Sequence, residues 1–357
     1  VSASRTNLPE SGRIRRILVI RWSALGDVAI ASAACEDLAR AFPRAELHLN
    51  TMPPWDTLFE HDPRFAKVIS IPMREPGHRL SGIRRWLSEV RAGRYDLVVD
   101  LQSNDRSRLL LTALWLSGTR IPHRIGLRPG WPYTIAPRPP LPLHAADRQR
   151  LALAAAGIDS FAAAPVFAIG EDRPRAMQAL LAGHGLAPGR FALFLPGSQA
   201  AGWLKRWGER RFAALARAVV AAGLVERVAL AGAGDDADTC AEIARQAGPV
   251  VANLCGRTRV LDLVPLAGAA RFVVSNDTGP AHVASAASRP MVVLCGPTDP
   301  RRVKPMGASV TTLQAPLHCA SCYRKTCTHH SCMMLISPES VLERLHEITA
   351  DRSGALD

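Results

Sequence analysis

Three short segments of this 357-residue chain place polar side chains directly after apolar runs. The most informative is Ser275-Asn276-Asp277-Thr278-Gly279-Pro280-Ala281-His282, which follows Phe272-Val273-Val274 and precedes small residues from Val283 to Ala287. That order reads strand, tight turn, helix start. Gly279 lets the backbone turn, Pro280 suits the first helical position, and the unpaired helix N–H groups face the strand's carboxyl end. The junction suits a phosphate, or is an ordinary loop capped by Asp277 or Thr278.

A second segment bears on that choice. Pro196-Gly197-Ser198 follows the apolar run Phe191 to Leu195, and Lys205-Arg206-Trp207 comes soon after. A Gly-Ser turn offers backbone N–H and hydroxyl donors to phosphate oxygens. Lys205 adds a compact charge in a chain with four lysines and forty arginines, which points to a role a planar guanidinium serves less well. Without a ligand, Lys205 reads as an exposed basic residue before a helix.

The third segment is Ser23-Ala24-Leu25-Gly26-Asp27, after Ile17-Leu18-Val19-Ile20. Asp27 at a helix start is either a carboxylate stabilised by the helix dipole or a general base for an alcohol attacking an electrophilic carbon. Asp235, in Ala231-Gly232-Ala233-Gly234-Asp235, follows another strand, where a carboxylate can accept hydrogen bonds from a ribose. Gly232-Ala233-Gly234 is only a fragment of a dinucleotide fingerprint, so nicotinamide-dependent chemistry is disfavoured.

These segments need a scaffold that repeats strand, turn and helix. Apolar spacing predicts a strand at 16–20 and a helix from Val28 to Phe42 ended by Pro43. Further strands are expected at 47–49, 68–70 and 96–100, with a helix over 106–115. Residues 121–142, rich in Pro and Arg, read as a long ordered loop with a short strand or two. An Ala-rich stretch before Pro165 reads as weakly structured, after which a helix over 174–184 leads into a strand at 191–195. The second half then alternates helices at 208–222, 236–247, 260–269 and 280–287 with strands at 228–230, 250–251, 272–274 and 291–294. A last helix begins near Pro338. Such alternation predicts mostly parallel sheets covered on both faces, with ligands at the strands' carboxyl ends. The expected division is a domain over 13–168, a second over 169–340, and a helix and tail over 341–357, with residues 1–12 a polar tail.

Composition bounds the function. With 48% hydrophobic residues the chain can bury a large core, and its aliphatic runs are too short for a membrane span or a signal peptide, so a cytoplasmic location is expected. The net charge of +13 suggests an anionic partner, although arginine and alanine richness also fits a GC-rich genome. Sparse aromatics, not interleaved with the arginines, argue against single-stranded nucleic acid.

Four of the eight cysteines, Cys35, Cys240, Cys255 and Cys295, sit in apolar or helical contexts and read as core residues. The others cluster as Cys319-Ala320-Ser321-Cys322, Cys327 and Cys332, with His330 between the last two. Their spacing allows a structural zinc or iron held by four thiolates, reduced packing cysteines, or a redox-labile pair.

Taken in order, Ser23 to Asp27, Pro196-Gly197-Ser198 with Lys205-Arg206-Trp207, Asn276 to His282 and the late Cys-rich segment resemble family 9 glycosyltransferases, the heptosyltransferases of lipopolysaccharide core assembly. The resemblance implies an α/β GT-B fold, two Rossmann-like domains facing each other across a cleft, with the acceptor in the first and the donor in the second. It implies transfer of heptose with inversion from ADP-L-glycero-β-D-manno-heptose, with no catalytic metal. Asp27 then looks like the base. Lys205 and Ser198 would hold the diphosphate, and Thr278 and Gly279 would stabilise it as charge develops. Asp277 would order that loop or contact the donor sugar, His282 would face the same pocket, and Asp235 stands where the family more often has Glu. Arg106, Arg108, Arg124 and Arg128 become candidates for the anionic acceptor, at the cytoplasmic face of the inner membrane. Another nucleotide sugar, a protein acceptor, or a basic zinc protein on nucleic acid are the competing expectations.

Overall fold

The computed structural model describes residues 7–72, 79–140 and 142–350. The chain forms two compact units, Val1–Ala168 and Ile169–Asp357. In the first, the elements run β1 (Arg16–Ile20), α1 (Leu25–Ala41), β2 (Glu46–Thr51), β3 (Phe65–Ser70), α2 (Arg79–Gly93), β4 (Leu97–Asp100), α3 (Asp105–Leu116), β5 (His123–Gly126) and α4 (Ala145–Ala154). Its five strands pair in parallel in the order β3-β2-β1-β4-β5. The order reverses at β1, so the turns after β1 and β4 flank the point where open α/β sheets take ligands.

Strand alternation sorts the first core. Leu18, Ile20 and Val98 pack against Trp86 and Val90 of α2 and Leu110, Leu111 and Leu114 of α3. The two helices are therefore neighbours on one face of the sheet, and α1 packs with α4. Asn50 locks this core. Its Oδ1 accepts from the indoles of Trp22 (2.7 Å) and Trp86 (2.6 Å), and its Nδ2 donates to the Ile69 carbonyl (2.9 Å).

The second unit runs α5 (Asp172–Gly183), β6 (Phe191–Leu195), α6 (Glu209–Ala221), β7 (Arg227–Leu230), α7 (Ala237–Ala247), β8 (Val251–Asn253), α8 (Leu263–Ala269), β9 (Phe272–Asn276), α9 (Gly279–Ala284), β10 (Met291–Cys295), α10 (Pro300–Val303), β11 (Val310–Gln314), α11 (Ser331–Met334) and α12 (Pro338–Ala350). Its parallel sheet has the order β11-β10-β9-β6-β7-β8, reversing at β6. Strands β6, β9 and β10 are buried along their whole length, as parallel strands covered on both faces must be.

Several expectations are corrected. The stretch read as weakly structured contains α4, capped by His144, whose Nδ1 accepts from Ala146 N (3.1 Å). Helix α2 was not expected because its arginines interrupt the apolar run. Yet Ile83, Trp86, Leu87 and Val90 have helical spacing and face the core. Strand β11 was also missed. The expected polar tail includes Leu8, which is buried and whose N–H donates to the Ala156 carbonyl (3.0 Å). Residues 1–6 and 351–357 lie outside the described residues. Among the described residues no helix is long and apolar enough to cross a membrane.

Candidate active site

In the first unit, Asp27 lies in the first turn of α1, where a carboxylate is favoured by the unpaired N–H groups. Arg21, the charged residue that ends β1, donates from Nη2 to Asp27 Oδ2 (2.7 Å) and from Nη1 to the Leu101 carbonyl. The Arg21 side chain is 10% exposed, whereas that of Asp27 is 44% exposed. A buried guanidinium thus anchors an accessible carboxylate. Ala24 N also reaches Oδ2 (3.4 Å), and among the described residues none donates to Oδ1. Arg21 was not expected as a site residue. Its signal was a single charge closing an apolar strand beside the Asp27 turn.

The turn after β4 holds a second carboxylate. Asp100 is fully buried and accepts from Gln102 N (3.0 Å), Ser103 N (2.8 Å) and Tyr133 Oη (2.7 Å). Burial pushes its carboxyl above the usual range against these hydrogen bonds. Ser103 passes the order on: its Oγ accepts from Leu127 N (3.0 Å) and its carbonyl from Arg128 Nη2 (2.9 Å). Of the arginines proposed for the acceptor, Arg106 is exposed. Arg108 is held by the Trp131 carbonyl (2.6 Å from Nη2), and Arg124 by the carbonyls of Pro132 and Ile121. Arg108 and Arg124 therefore shape the loop after β5, and Arg128 lies 3.6 Å from Asp105.

In the second unit the turns after β6, β9 and β10 are joined by buried polar contacts. Asn276 Nδ2 donates to the Pro196 carbonyl (2.6 Å), and Asn276 Oδ1 accepts from Trp207 N (3.2 Å). Asp277 follows with its side chain only 4% exposed, and its Oδ2 accepts from Lys205 Nζ (2.8 Å) and Thr298 Oγ1 (2.7 Å). The ammonium has three donors, so this pair leaves it able to bind an anion. Thr298 was also missed. It sits in Gly296-Pro297-Thr298-Asp299-Pro300 after β10, the same strand, polar turn and helix-starting proline as Asp277 to Pro280.

Ser198 is buried, and its hydroxyl lies 3.1 Å from both the Gly202 carbonyl and Arg206 Nε. Thr278 is extended and Gly279 is the first residue of α9, so the turn is made ahead of the glycine and does not depend on it, contrary to expectation. His282, on α9, is buried. Asp235 is exposed in the turn after β7, while its neighbour Asp236 is buried and accepts from Ala233 N (3.1 Å). A Cβ at Gly197 would stand 2.2 Å from the Asp236 carboxylate, which explains the glycine.

The structure gives no support to the structural metal expected at the Cys-rich segment. Among the described residues no group of three or more His, Cys, Asp or Glu side chains can hold a metal ion. Cys319 and Cys322 are exposed, Cys327 is half-buried, and Cys332 is buried, where a Cβ at Gly296 would approach its sulfur at 3.0 Å. Backbone N–H groups around Cys327 pull its thiol below the usual range, while burial pushes that of Cys332 up. The segment braces the site. His330 Nε2 bonds the Leu204 carbonyl (2.6 Å), Trp207 Nε1 donates to the Ile336 carbonyl (2.8 Å), and Tyr323 N donates to the Pro297 carbonyl (2.7 Å). The turns bearing Lys205 and Thr298 are thereby held on either side of Asp277.

Two parallel α/β units with polar turns at the carboxyl ends of their strands match the architecture of GT-B glycosyltransferases. Over residues 83–333 the sequence matches glycosyltransferase family 9 (heptosyltransferase), and the chain belongs to that family of enzymes. It is 27% identical to lipopolysaccharide heptosyltransferase 2 of Salmonella typhimurium, over 94% of this chain and 99% of that one. It is 34% identical to lipooligosaccharide heptosyltransferase 2 of Haemophilus influenzae over 44% of this chain and 46% of the relative. Among solved structures, a family 9 glycosyl transferase from Veillonella parvula superposes with a TM-score of 0.80 at 22% identity, covering 98% of this chain and all of the other. ADP-heptose lipopolysaccharide heptosyltransferase II of Escherichia coli gives 0.72 at 24% identity, covering 95% and 99%.

Proposed function

We propose that this chain transfers heptose, with inversion, from ADP-L-glycero-β-D-manno-heptose to the inner core of lipopolysaccharide at the cytoplasmic face of the inner membrane. The observation that carries this reading is the Lys205–Asp277–Thr298 cluster where the turns after β6, β9 and β10 meet: a cation oriented by a buried carboxylate and still able to take an anion. Relatives named as lipopolysaccharide heptosyltransferases, aligned nearly end to end, support the sugar and the acceptor.

In this mechanism the acceptor hydroxyl oxygen attacks the anomeric carbon of the heptose, and Asp27 takes the hydroxyl proton on the carboxylate that Arg21 anchors. The bond from that carbon to the diphosphate oxygen breaks, and ADP leaves with the electron pair. Lys205 and the Thr278–Gly279 backbone stabilise the charge that develops there. Asp277 orients Lys205, Ser198 and Arg206 shape the phosphate turn, Asp235 meets the ribose, and His282 lines the donor pocket. Arg106 and Arg128 meet anionic groups of the acceptor, while Arg108 and Arg124 hold their loop.

A thermal-shift panel of ADP-heptose, ADP, UDP-glucose, GDP-mannose and NAD tests the donor. A ligand at about 100 times its Kd stabilises by about 2.7 kcal/mol. ADP-heptose and ADP are expected to raise the melting temperature. A rise with a uridine or guanosine sugar alone would reassign the donor, and no rise with any would remove the proposed site.

A further inference from the structure

Helix α3 buries one face in the first core and presents another to solvent. On that outer face Leu109 is 70% and Leu116 is 72% exposed, two turns apart on one stripe. Trp131, 49% exposed, stands beside them, with its indole Nε1 on Thr112 Oγ1 (3.1 Å) and its ring edge-on to Trp115. Three large apolar side chains thus share one edge of the unit, which is more than the scattered surface leucine that needs no explanation.

The rim is basic. Arg106 and Arg120 are exposed, with the Arg120 guanidinium over the Trp115 ring at 4.1 Å and that of Arg124 over Trp131 at 5.6 Å. The neighbouring helix α2 adds exposed Arg84, Arg85 and Arg91, and Arg91 Nη2 bonds the Ser117 carbonyl (2.9 Å) at the end of α3. The carboxylates of this layer are already matched, Asp105 by Arg128 and Glu89 by Lys67. A partner must therefore accept leucine and tryptophan side chains at its centre and offer negative charge around them.

We propose that this face of α3 docks on an anionic phospholipid bilayer, with Leu109, Leu116 and Trp131 entering the interfacial layer and the surrounding arginines on lipid phosphates. A second copy of the chain fits less well, because a two-fold contact would bring the two arginine rims together. Nucleic acid would leave the leucines without a partner. The inference rests on the proposed function only in that its acceptor is a glycolipid, and it goes further by naming the surface that meets the membrane.

The test is flotation of the full chain with vesicles of phosphatidylcholine alone or mixed with phosphatidylglycerol, for wild type, Leu109→Gln/Leu116→Gln and Phe161→Gln. Phe161 is equally exposed, but its backbone is bound to Asp37 of α1, away from the α2–α3 layer. Wild type and Phe161→Gln are expected to bind anionic vesicles, less so as salt rises, and the double variant to bind roughly tenfold or more weakly. Transfer to a lipid-free core saccharide should be unchanged in the double variant, which also shows that it is folded. Equal binding by all three proteins, no binding by wild type, or loss of a dimer rather than of vesicle binding would overturn the proposal. Absence of transfer by wild type to the saccharide would count against the heptosyltransferase reading alone and leave the vesicle result to be judged separately.

Discussion

Asp27 and Asp277 each follow a central strand of a parallel sheet, and each is paired with one cation, yet the two pairs are built in opposite senses. In the first unit the arginine is buried and the carboxylate is 44% exposed. In the second the carboxylate is 4% exposed and Lys205 is 32% exposed. The buried member of each pair fixes the accessible one, which in the proposed mechanism is the proton acceptor in the first unit and the anion binder in the second. Strand, polar turn and helix recur in both units, and which partner is buried sets the chemistry each can perform.

Asp100 extends the contrast, since it is as buried as Asp277 but is satisfied by a phenol and backbone N–H groups. Burying a carboxylate without a close cation raises its pKa, and with its oxygens taken up by the phenol and backbone N–H groups Asp100 supports the loop.

The sharpest way to break the comparison in the second unit is Lys205→Ala. It should lower transfer by roughly 10²–10³ and weaken ADP-heptose binding in calorimetry, with Lys205→Arg restoring little because a planar guanidinium replaces a point charge. Thr298→Val should have a smaller effect, about 1–3 kcal/mol of stability with a modest loss of donor affinity, because Asp277 loses one of its two side-chain donors. Thr298→Ser, which keeps the hydroxyl, should restore both in denaturant melts and binding isotherms. The smallest effect concerns Asp100. With its folded pKa raised, the native state keeps a proton that the unfolded chain has lost. Its contribution to stability is therefore full below the ordinary carboxylate pKa of about 3.9 and declines as pH rises through the raised value. Relative to Asp100→Asn, wild type should lose stability over that rise, and parallel curves for the two proteins would contradict the assignment.

Much of this was legible in the sequence, for identifiable reasons. Fully buried parallel strands such as Phe191–Leu195 and Met291–Cys295 are uninterrupted apolar runs. The turns bearing Asp27, Lys205 and Asp277 stand at the ends of such runs. Helix α2 was hidden because its exposed face is crowded with arginine, and α4 because alanine-rich sequence carries little amphipathic contrast. Arg21 and Thr298 escaped because their roles depend on contacts with residues that only the fold brings near, Leu101 for Arg21 and Asp277 for Thr298. In the Cys-rich segment the spacing showed a cluster of thiols, but not that His330 bonds the Leu204 carbonyl or that Cys332 packs against Gly296, contacts that only the fold creates.

The most direct test of the division between the two carboxylates is to measure ADP-heptose affinity and single-turnover transfer side by side on Asp27→Asn. Donor affinity equal to wild type with transfer reduced roughly 10²–10⁴-fold is the predicted result, because the substitution removes only the proton acceptor. Transfer at the wild-type rate would contradict the account.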